Sequence, residues 1–156
     1  MKTQSLYDSF GREVRSLRIS LTELCNFRCV YCTSSTTVIA PPSVYLTRSE
    51  ITRFVRIAGS LGIGKVRLTG GEPLLRKDLC EIIASLKAIE TVKDLSITTN
   101  GSCLSRRLAE LKTAGLDRIN ISLDSMNPER FKEVTLVDSF REVMNSVFLA
   151  LEAGFP

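Results

Sequence analysis

The 156-residue chain contains neither histidine nor tryptophan. The absence of imidazole excludes the usual histidine bases and the mixed Cys/His zinc sites, so cysteine is the natural metal ligand here. No run of about eighteen apolar residues exists, and no apolar signal-peptide core follows Met1, which predicts a cytoplasmic protein without a membrane partner. The net charge of +4 is spread among acids instead of forming a basic block, so no nucleic-acid partner is predicted.

The residues that are present indicate one soluble globular domain. Apolar residues make up 44% and charged residues 24% of the chain, and its length is typical of a single core. Three of the five cysteines fall within eight residues, which is unlike the framework of a secreted disulfide-rich protein. A reducing compartment and a thiolate-bound metal are therefore predicted.

Short strands alternate with helices along the chain. Period-two segments with β-branched residues predict strands, and apolar residues on one helical face predict helices. The predicted strands are 17–21, 65–68, 94–98 and 118–122, and the predicted helices are 47–61, 77–88, 104–113 and 139–153, with a loop over 33–45. This order predicts a parallel sheet and an α/β fold, open or barrel-like. Because four parallel strands cannot close a barrel, we expect a piece of a longer array that stops before a fifth strand.

The distinctive polar clusters each follow a predicted strand. Residues 25–32 follow the first strand, 70–73 the second, 99–101 the third and 124–125 the fourth. The carboxyl ends of parallel strands meet at one edge of a sheet, where α/β folds place their ligands. We therefore expect all four clusters to gather at that edge.

The three clustered cysteines are Cys25, Cys29 and Cys32, at spacings of four and three residues. A structural zinc site and a ferredoxin cluster each require four ligands, whereas three thiolates on a four-iron cubane leave one iron open to an exogenous ligand. Arg28 is expected to help keep the thiolates ionised. The alternatives are three small residues buried in a turn, or a zinc site completed by Cys80 or Cys103. Otherwise these last two cysteines are interpreted as packing residues.

Two further features have a functional and a plain structural interpretation. The glycines of 70–73 permit a close backbone approach to a ligand, but such a pair at a strand-to-helix turn is by itself weak evidence of a site. Arg18 and Arg67 lie inside the first two strands, where a guanidinium suits phosphate or carboxylate. The alternative for both arginines is an ion pair with Glu72 or Asp124.

These motifs resemble a known family. The Cys-x3-Cys-x2-Cys loop, with an aromatic residue before its last cysteine, and the Thr-Gly-Gly-Glu-Pro segment 69–73 are similar to the signature of the radical S-adenosylmethionine superfamily. Within it, the chain resembles the MoaA family of GTP 3′,8-cyclases, which open molybdenum cofactor biosynthesis, over segments 9–12, 17–20, 65–74, 98–101 and 115–125. The resemblance implies a partial TIM-like barrel with about four of six βα units. It divides the chain into an N-terminal extension, 1–16, and a truncated core domain, 17–156.

The resemblance also implies a set of site residues. The ligands of a [4Fe-4S] cluster fall on Cys25, Cys29 and Cys32, and S-adenosylmethionine chelates the fourth iron. Tyr31, Gly71 and Ser122 match positions that contact S-adenosylmethionine. Arg18, Arg67 and Thr98 match positions that contact the substrate GTP. No catalytic residue is implied beyond the cluster and S-adenosylmethionine.

The implied activity is that of a radical lyase. A 5′-deoxyadenosyl radical takes the ribose H3′ of GTP, and C3′ then attacks C8; a reductant such as flavodoxin or ferredoxin supplies the electron, and a homodimer is compatible with the family. A second [4Fe-4S] cluster is expected only in a longer chain. The sequence departs from the family at Leu136, where glycine is usual, and over 33–45. The alternatives are another radical enzyme with auxiliary clusters, of the peptide-modifying type, or a truncated non-catalytic metal-binding module.

Overall fold

Four parallel strands form one sheet, in the order in which they occur along the chain. A computed structural model describes residues 5–32 and 45–156. The strands are β1, Ser16–Ser20; β2, Lys65–Thr69; β3, Asp94–Thr99; and β4, Arg118–Ile121. Each strand pairs in parallel with the next, which confirms the predicted α/β fold.

Within the described residues, five α-helices follow the strands. They are α1, Arg48–Ser60; α2, Leu79–Lys87; α3, Leu104–Thr113; α4, Pro128–Thr135; and α5, Phe140–Glu152. The predicted capping box is confirmed, because the Thr47 side chain accepts from the Glu50 backbone N–H and the Glu50 carboxylate accepts from the Thr47 backbone N–H. The predicted loop over 33–45 lies outside the described residues except for its last position. Within 5–32 and 45–156, no helix is long and apolar enough to cross a membrane.

Helix α4 was not among the predicted elements. It begins with Asn127, whose side-chain oxygen accepts the backbone N–H of Arg130 at 2.9 Å, and with Pro128 in the first turn. Both are ordinary helix-start signals. Only Phe131 and Thr135 of its residues are buried, so its apolar stripe is too short for periodicity to reveal it.

Leu136 ends α4 in the left-handed conformation, with φ of 57°. Among the described residues it is the one non-glycine residue with positive φ. A residue with a side chain costs about 1–2 kcal/mol of stability in the left-handed conformation. Glycine avoids this strain, and the greater entropy that it gives the unfolded chain costs less. The Leu136 side chain is also 59% exposed, so little packing depends on it.

We therefore expect Leu136→Gly to stabilise the protein by about 0.5–1 kcal/mol, the difference between these two costs. The measurement is the midpoint of urea unfolding followed by circular dichroism. Leu136→Ala is the matched control, because it removes the same side chain but keeps the strained backbone, and it should give no comparable gain. A glycine variant less stable than the parent would show that the side chain contributes more than the backbone costs.

The two faces of the sheet differ sharply in polarity. Residues of one face belong to or pack against the main hydrophobic core: Leu17, Ile19, Val66, Leu68, Leu95, Ile97, Ile119 and Ile121. The alternating positions, which point to the opposite face, are all polar: Ser16, Arg18, Ser20, Lys65, Arg67, Thr69, Asp94, Ser96, Thr98, Arg118 and Asn120. A parallel sheet normally buries both faces under apolar side chains. The polar face is therefore the natural place for a polar ligand.

Candidate metal and anion site

The Gly-Gly turn after β2 packs directly on the segment that leads into the cysteine loop. The backbone N–H of Gly71 donates to the Thr22 carbonyl at 2.6 Å, and that of Glu72 donates to the Leu24 carbonyl at 2.7 Å. A Cβ atom on Gly71 would lie 2.3 Å from the Leu24 carbonyl oxygen. Any side chain there would have to move the backbone just before Cys25. The two motifs therefore lie together, as the strand order predicted.

Glu72 joins this turn to the loop after β3. Its side chain is fully buried and accepts hydrogen bonds from Thr99 Oγ1 at 2.8 Å, from the Asn100 backbone N–H at 2.7 Å and from the Leu74 backbone N–H at 2.9 Å. Burial raises the pKa of the Glu72 carboxyl, and the three hydrogen bonds oppose that rise. The ion pair with Arg18 or Arg67, one of the two interpretations from the sequence, is absent from these contacts.

The cysteine loop is supported by a small apolar cluster, formed by buried Phe27, Phe131 and Val143. Cys25 and Cys29 are half-buried against it, and Cys32 is exposed. The loop is also bonded to the end of α4, because the backbone N–H groups of residues 28 and 30 donate to the carbonyls of residues 135 and 134. The Gly-Gly turn after β2, the loop after β3 that Glu72 joins to it, and helix α4 thus position the thiols.

The donor chemistry of this loop fits an iron–sulfur cluster. All three cysteines are free, and two lie against an apolar wall of the kind that limits solvent access at such centres. In the part of the chain that the structure describes, no group of three or more Cys, Asp or Glu side chains is already arranged to hold a metal ion. The assignment of the three ligands therefore stays a prediction from spacing and donor type.

Cys80 and Cys103 pack against the main hydrophobic core, as expected of packing residues. Cys80 Sγ lies 3.6 Å from a guanidinium nitrogen of Arg107, and the Ser102 hydroxyl lies 3.8 Å from Cys103 Sγ. Among the described residues, neither Cys80 nor Cys103 forms a metal-binding group with the three cysteines of the loop. The zinc alternative gains no support from the described residues.

The Arg28 side chain contacts the backbone of the cysteine loop, and its expected effect on the thiolates stays a prediction. Its guanidinium donates to the backbone carbonyls of Cys25, at 3.1 Å, and Phe27, at 3.4 Å, and thus stabilises the turn. Burial raises the pKa of the Cys29 thiol, a hydrogen bond with Tyr31 opposes that rise, and the nearby Asp124 carboxylate adds to it. Cys29 must therefore release a proton when it binds a metal.

Tyr31 connects the cysteine loop to the loop after β4. Its hydroxyl lies 2.9 and 3.0 Å from the two carboxylate oxygens of Asp124. Desolvation of the hydroxyl and this hydrogen bond raise the pKa of the Tyr31 phenol. Ser122, in the same β4 loop, is exposed and donates its backbone N–H to the Thr99 carbonyl at 2.9 Å. Tyr31, Gly71 and Ser122 thus lie on three loops at the same edge of the sheet, each accessible to a ligand.

A row of cations crosses the polar face. Arg18 pairs in register with Arg67, which pairs with Ser96, which pairs with Arg118. Arg118 forms an ion pair with Asp94. Arg18 and Arg67 form no hydrogen bond or ion pair with any residue in 5–32 or 45–156. Two like charges on adjacent strands are destabilising unless an anion lies between them.

These cations line a cleft of about 200 Å³, which Lys65 also enters. Thr98 lies on the same face, one side-chain step nearer the carboxyl edge than Ser96. The polar face thus offers a cationic patch on the amino-terminal half of the strands, with the cysteine loop at the carboxyl edge of the same sheet. Such an arrangement suits a ligand that carries phosphate or carboxylate at one end.

The model of the radical SAM superfamily matches residues 19–156 of the chain. The chain belongs to the radical SAM superfamily. Membership in the radical SAM superfamily implies a [4Fe-4S] cluster and S-adenosylmethionine, which agrees with the cysteine spacing and with the three accessible loops.

Several relatives of this radical SAM chain carry informative names. It is 42% identical over 155 residues to a GTP 3′,8-cyclase of Saccharophagus degradans, covering 99% of this chain and 47% of that protein. It is 45% identical over 155 residues to molybdenum cofactor biosynthesis protein 1 of Drosophila melanogaster, covering 99% of this chain and 27% of that protein. The chain therefore spans about half the length, or less, of these curated relatives.

A solved structure supports the fold of this chain independently. Methylornithine synthase superposes with a TM-score of 0.73 at 20% identity, covering 90% of this chain and 42% of that chain. At this identity the similarity establishes the fold alone. It places the four-stranded sheet and its helices within a larger α/β architecture.

Proposed function

We propose that this chain supplies the cluster-binding part of a GTP 3′,8-cyclase, a radical lyase of molybdenum cofactor biosynthesis. The observation that carries the proposal is the cationic row of the polar face, which lies on the sheet whose carboxyl edge carries the cysteine loop and has two arginines without partners among the described residues. The names of the relatives point to the same reaction.

In this proposal, Cys25, Cys29 and Cys32 hold three irons of the [4Fe-4S] cluster, and S-adenosylmethionine occupies the fourth. Tyr31, Gly71 and Ser122 contact S-adenosylmethionine from three loops at the carboxyl edge. The close packing of Gly71 on residues 22–24 supports this role, because it leaves the exposed backbone of the turn beside the cysteine loop.

Arg18, Arg67 and Thr98 bind GTP in the same proposal. The guanidinium groups take the triphosphate, since a planar fork of donors matches phosphate oxygens. Thr98 lies two residues beyond Ser96, the register partner of Arg67, which places it about 7 Å nearer the carboxyl edge of the polar face. Phosphates held at the arginine row would leave the sugar nearer to the cysteine loop, where the reaction must begin.

When bound, the cluster and S-adenosylmethionine would supply the radical chemistry that removes H3′ from the GTP ribose and lets C3′ bond to C8. The protein's own residues have other tasks: the arginines fix the phosphates, Thr98 orients the nucleoside, and the apolar cluster around Phe131 limits water near the thiols. None of these tasks requires a histidine base. A reductant such as flavodoxin or ferredoxin supplies the electron.

The test is release of 5′-deoxyadenosine by the anaerobically reconstituted protein, with dithionite as the reductant. GTP should raise the release by about tenfold or more over ATP, because only the correct substrate places a reacting C–H bond in reach. Release that is unaffected by GTP but stimulated by peptides would favour the peptide-modifying alternative. A colourless stoichiometric zinc complex, with no iron taken up, would favour the non-catalytic module.

A further inference from the structure

The side chain of Asn100, in the loop after β3, points at the sulfur of a predicted cluster ligand. Its Nδ2 atom donates to Asn26 Oδ1 at 2.9 Å and lies 3.9 Å from Cys25 Sγ. The backbone N–H of Phe27 also points at this sulfur, at 3.4 Å. Cys25 Sγ thus has two N–H donors, one from the backbone and one from a side chain.

The orientation of the Asn100 amide is determined by its other contacts. Its Oδ1 atom accepts the backbone N–H of Ser102 at 3.0 Å and the Ser102 hydroxyl at 2.7 Å. A backbone N–H can only donate, so the group facing Ser102 must be the oxygen and the group facing the cysteine loop must be the NH₂. The donor toward Cys25 is therefore a consequence of the hydrogen-bond network.

Glu72 holds the backbone of this residue. The buried carboxylate accepts the Asn100 N–H at 2.7 Å, and it accepts the Thr99 hydroxyl, whose oxygen in turn accepts the Gly101 N–H at 3.0 Å. The loop after β3 is thus bonded on both sides of Asn100. Its amide reaches the cysteine loop with little freedom to turn away.

A donor at a ligand sulfur affects the electron affinity of an iron–sulfur cluster. Reduction adds negative charge to the cluster and its thiolates, and an N–H dipole aimed at a thiolate stabilises that charge. The contact from Nδ2 becomes charge-assisted once Cys25 is a thiolate. Removal of the donor should therefore make the cluster harder to reduce.

We propose that Asn100 raises the reduction potential of the cluster through its hydrogen bond to Cys25, and that Glu72 acts as the positioning residue for this amide. The inference rests on the proposed cluster function. It adds an outer-sphere residue that neither the cysteine spacing nor the Gly-Gly-Glu-Pro segment identifies. The same network joins the turn proposed to contact S-adenosylmethionine to Cys25, a proposed ligand of the cluster.

The test compares Asn100→Ala and Asn100→Asp with the parent and with Asn145→Ala, an exposed position of α5 that serves as the matched control. The midpoint potential of the reconstituted cluster is measured without S-adenosylmethionine, by redox titration followed by electron paramagnetic resonance. Asn100→Ala should lower the ratio of reduced to oxidised cluster about tenfold at a fixed poise, a shift of about 59 mV for one electron. Asn100→Asp keeps the acceptor for Ser102 but brings a carboxylate to the sulfur, so it should shift the potential further in the same direction. Asn145→Ala should not change it.

The outcomes separate the inference from the proposed function. If the parent protein holds no four-iron cluster, the proposed function fails and this inference fails with it. If the parent holds the cluster and both Asn100 variants have its potential, the inference alone is overturned. If Asn100→Ala does not take up the cluster, the midpoint potential of the near-isosteric Asn100→Asp is compared with that of the parent. An unchanged or higher potential in Asn100→Asp counts against the role of Asn100.

Discussion

Replacing Cys29 with alanine should reduce both the visible absorption of the reconstituted cluster and the release of 5′-deoxyadenosine by more than about 100-fold. Changes in the outer sphere of a metal site alone cost about 10–100-fold, and this change removes a ligand itself. With two thiolates left, a second iron would lose its protein ligand. Among the described residues, no group of three or more Cys, Asp or Glu side chains is arranged to take over the role of Cys29.

The measurement is iron and sulfide content per protein chain, together with absorbance and nucleoside release under anaerobic conditions. Cys80→Ala is the matched control, because Cys80 lies in α2 and packs against the main hydrophobic core. It should retain the cluster and its chemistry. Equal cluster content in the two variants would show that Cys29 is not a ligand and would return the loop to the interpretation of buried packing residues.

Arg67→Ala should weaken GTP binding by about 10–100-fold, since a hydrogen bond to a charged group contributes about 1.5–3 kcal/mol. Arg67 has no partner among the described residues, so its removal frees no buried acid and breaks no ion pair that the structure describes. The loss should therefore appear in ligand binding and leave the stability of the free protein almost unchanged. Relief of the repulsion with Arg18 should in fact raise that stability slightly.

The affinity for magnesium-free GTP is measured by calorimetry at two salt concentrations. The matched control is Arg106→Ala, an exposed arginine of α3 on the other side of the sheet, which should bind as the parent does. The GTP affinity of Arg67→Lys should fall between those of Arg67→Ala and Arg106→Ala, because an ammonium keeps the charge but not the planar fork. If Arg67→Ala and Arg106→Ala bind GTP equally, the cationic row is not the triphosphate site.

The sequence predicted the sheet well because its signals are local. The four strands follow from period-two patterns, and the capping box of α1 follows from two residues three apart, Thr47 and Glu50. The convergence of the polar clusters needed only the order of the strands. These features require no knowledge of which side chains meet across the fold.

The features that the sequence could not predict depend on contacts between distant segments. Glu72 belongs to a segment that the sequence does single out, but only its contacts with Thr99, Asn100 and Leu74 explain why a fully buried carboxylate is tolerated there. Arg28 was expected to act on thiolates because it lies between cysteines, but the turn directs its guanidinium to backbone carbonyls. Helix α4 has a capped start but contributes so few apolar residues that periodicity misses it.

The support of the cysteine loop by α4 has a consequence for the order of events on the ribosome. The thiols are synthesised before β2, β3 and β4, whereas the carbonyls of residues 134 and 135 that bond the loop, and the buried Phe131 ring beneath it, arrive only after β4 is complete. The nascent chain therefore exposes its three thiols to solvent and oxidants well before their scaffold exists. A cluster on these thiols would therefore gain its scaffold only after the fourth βα unit has folded.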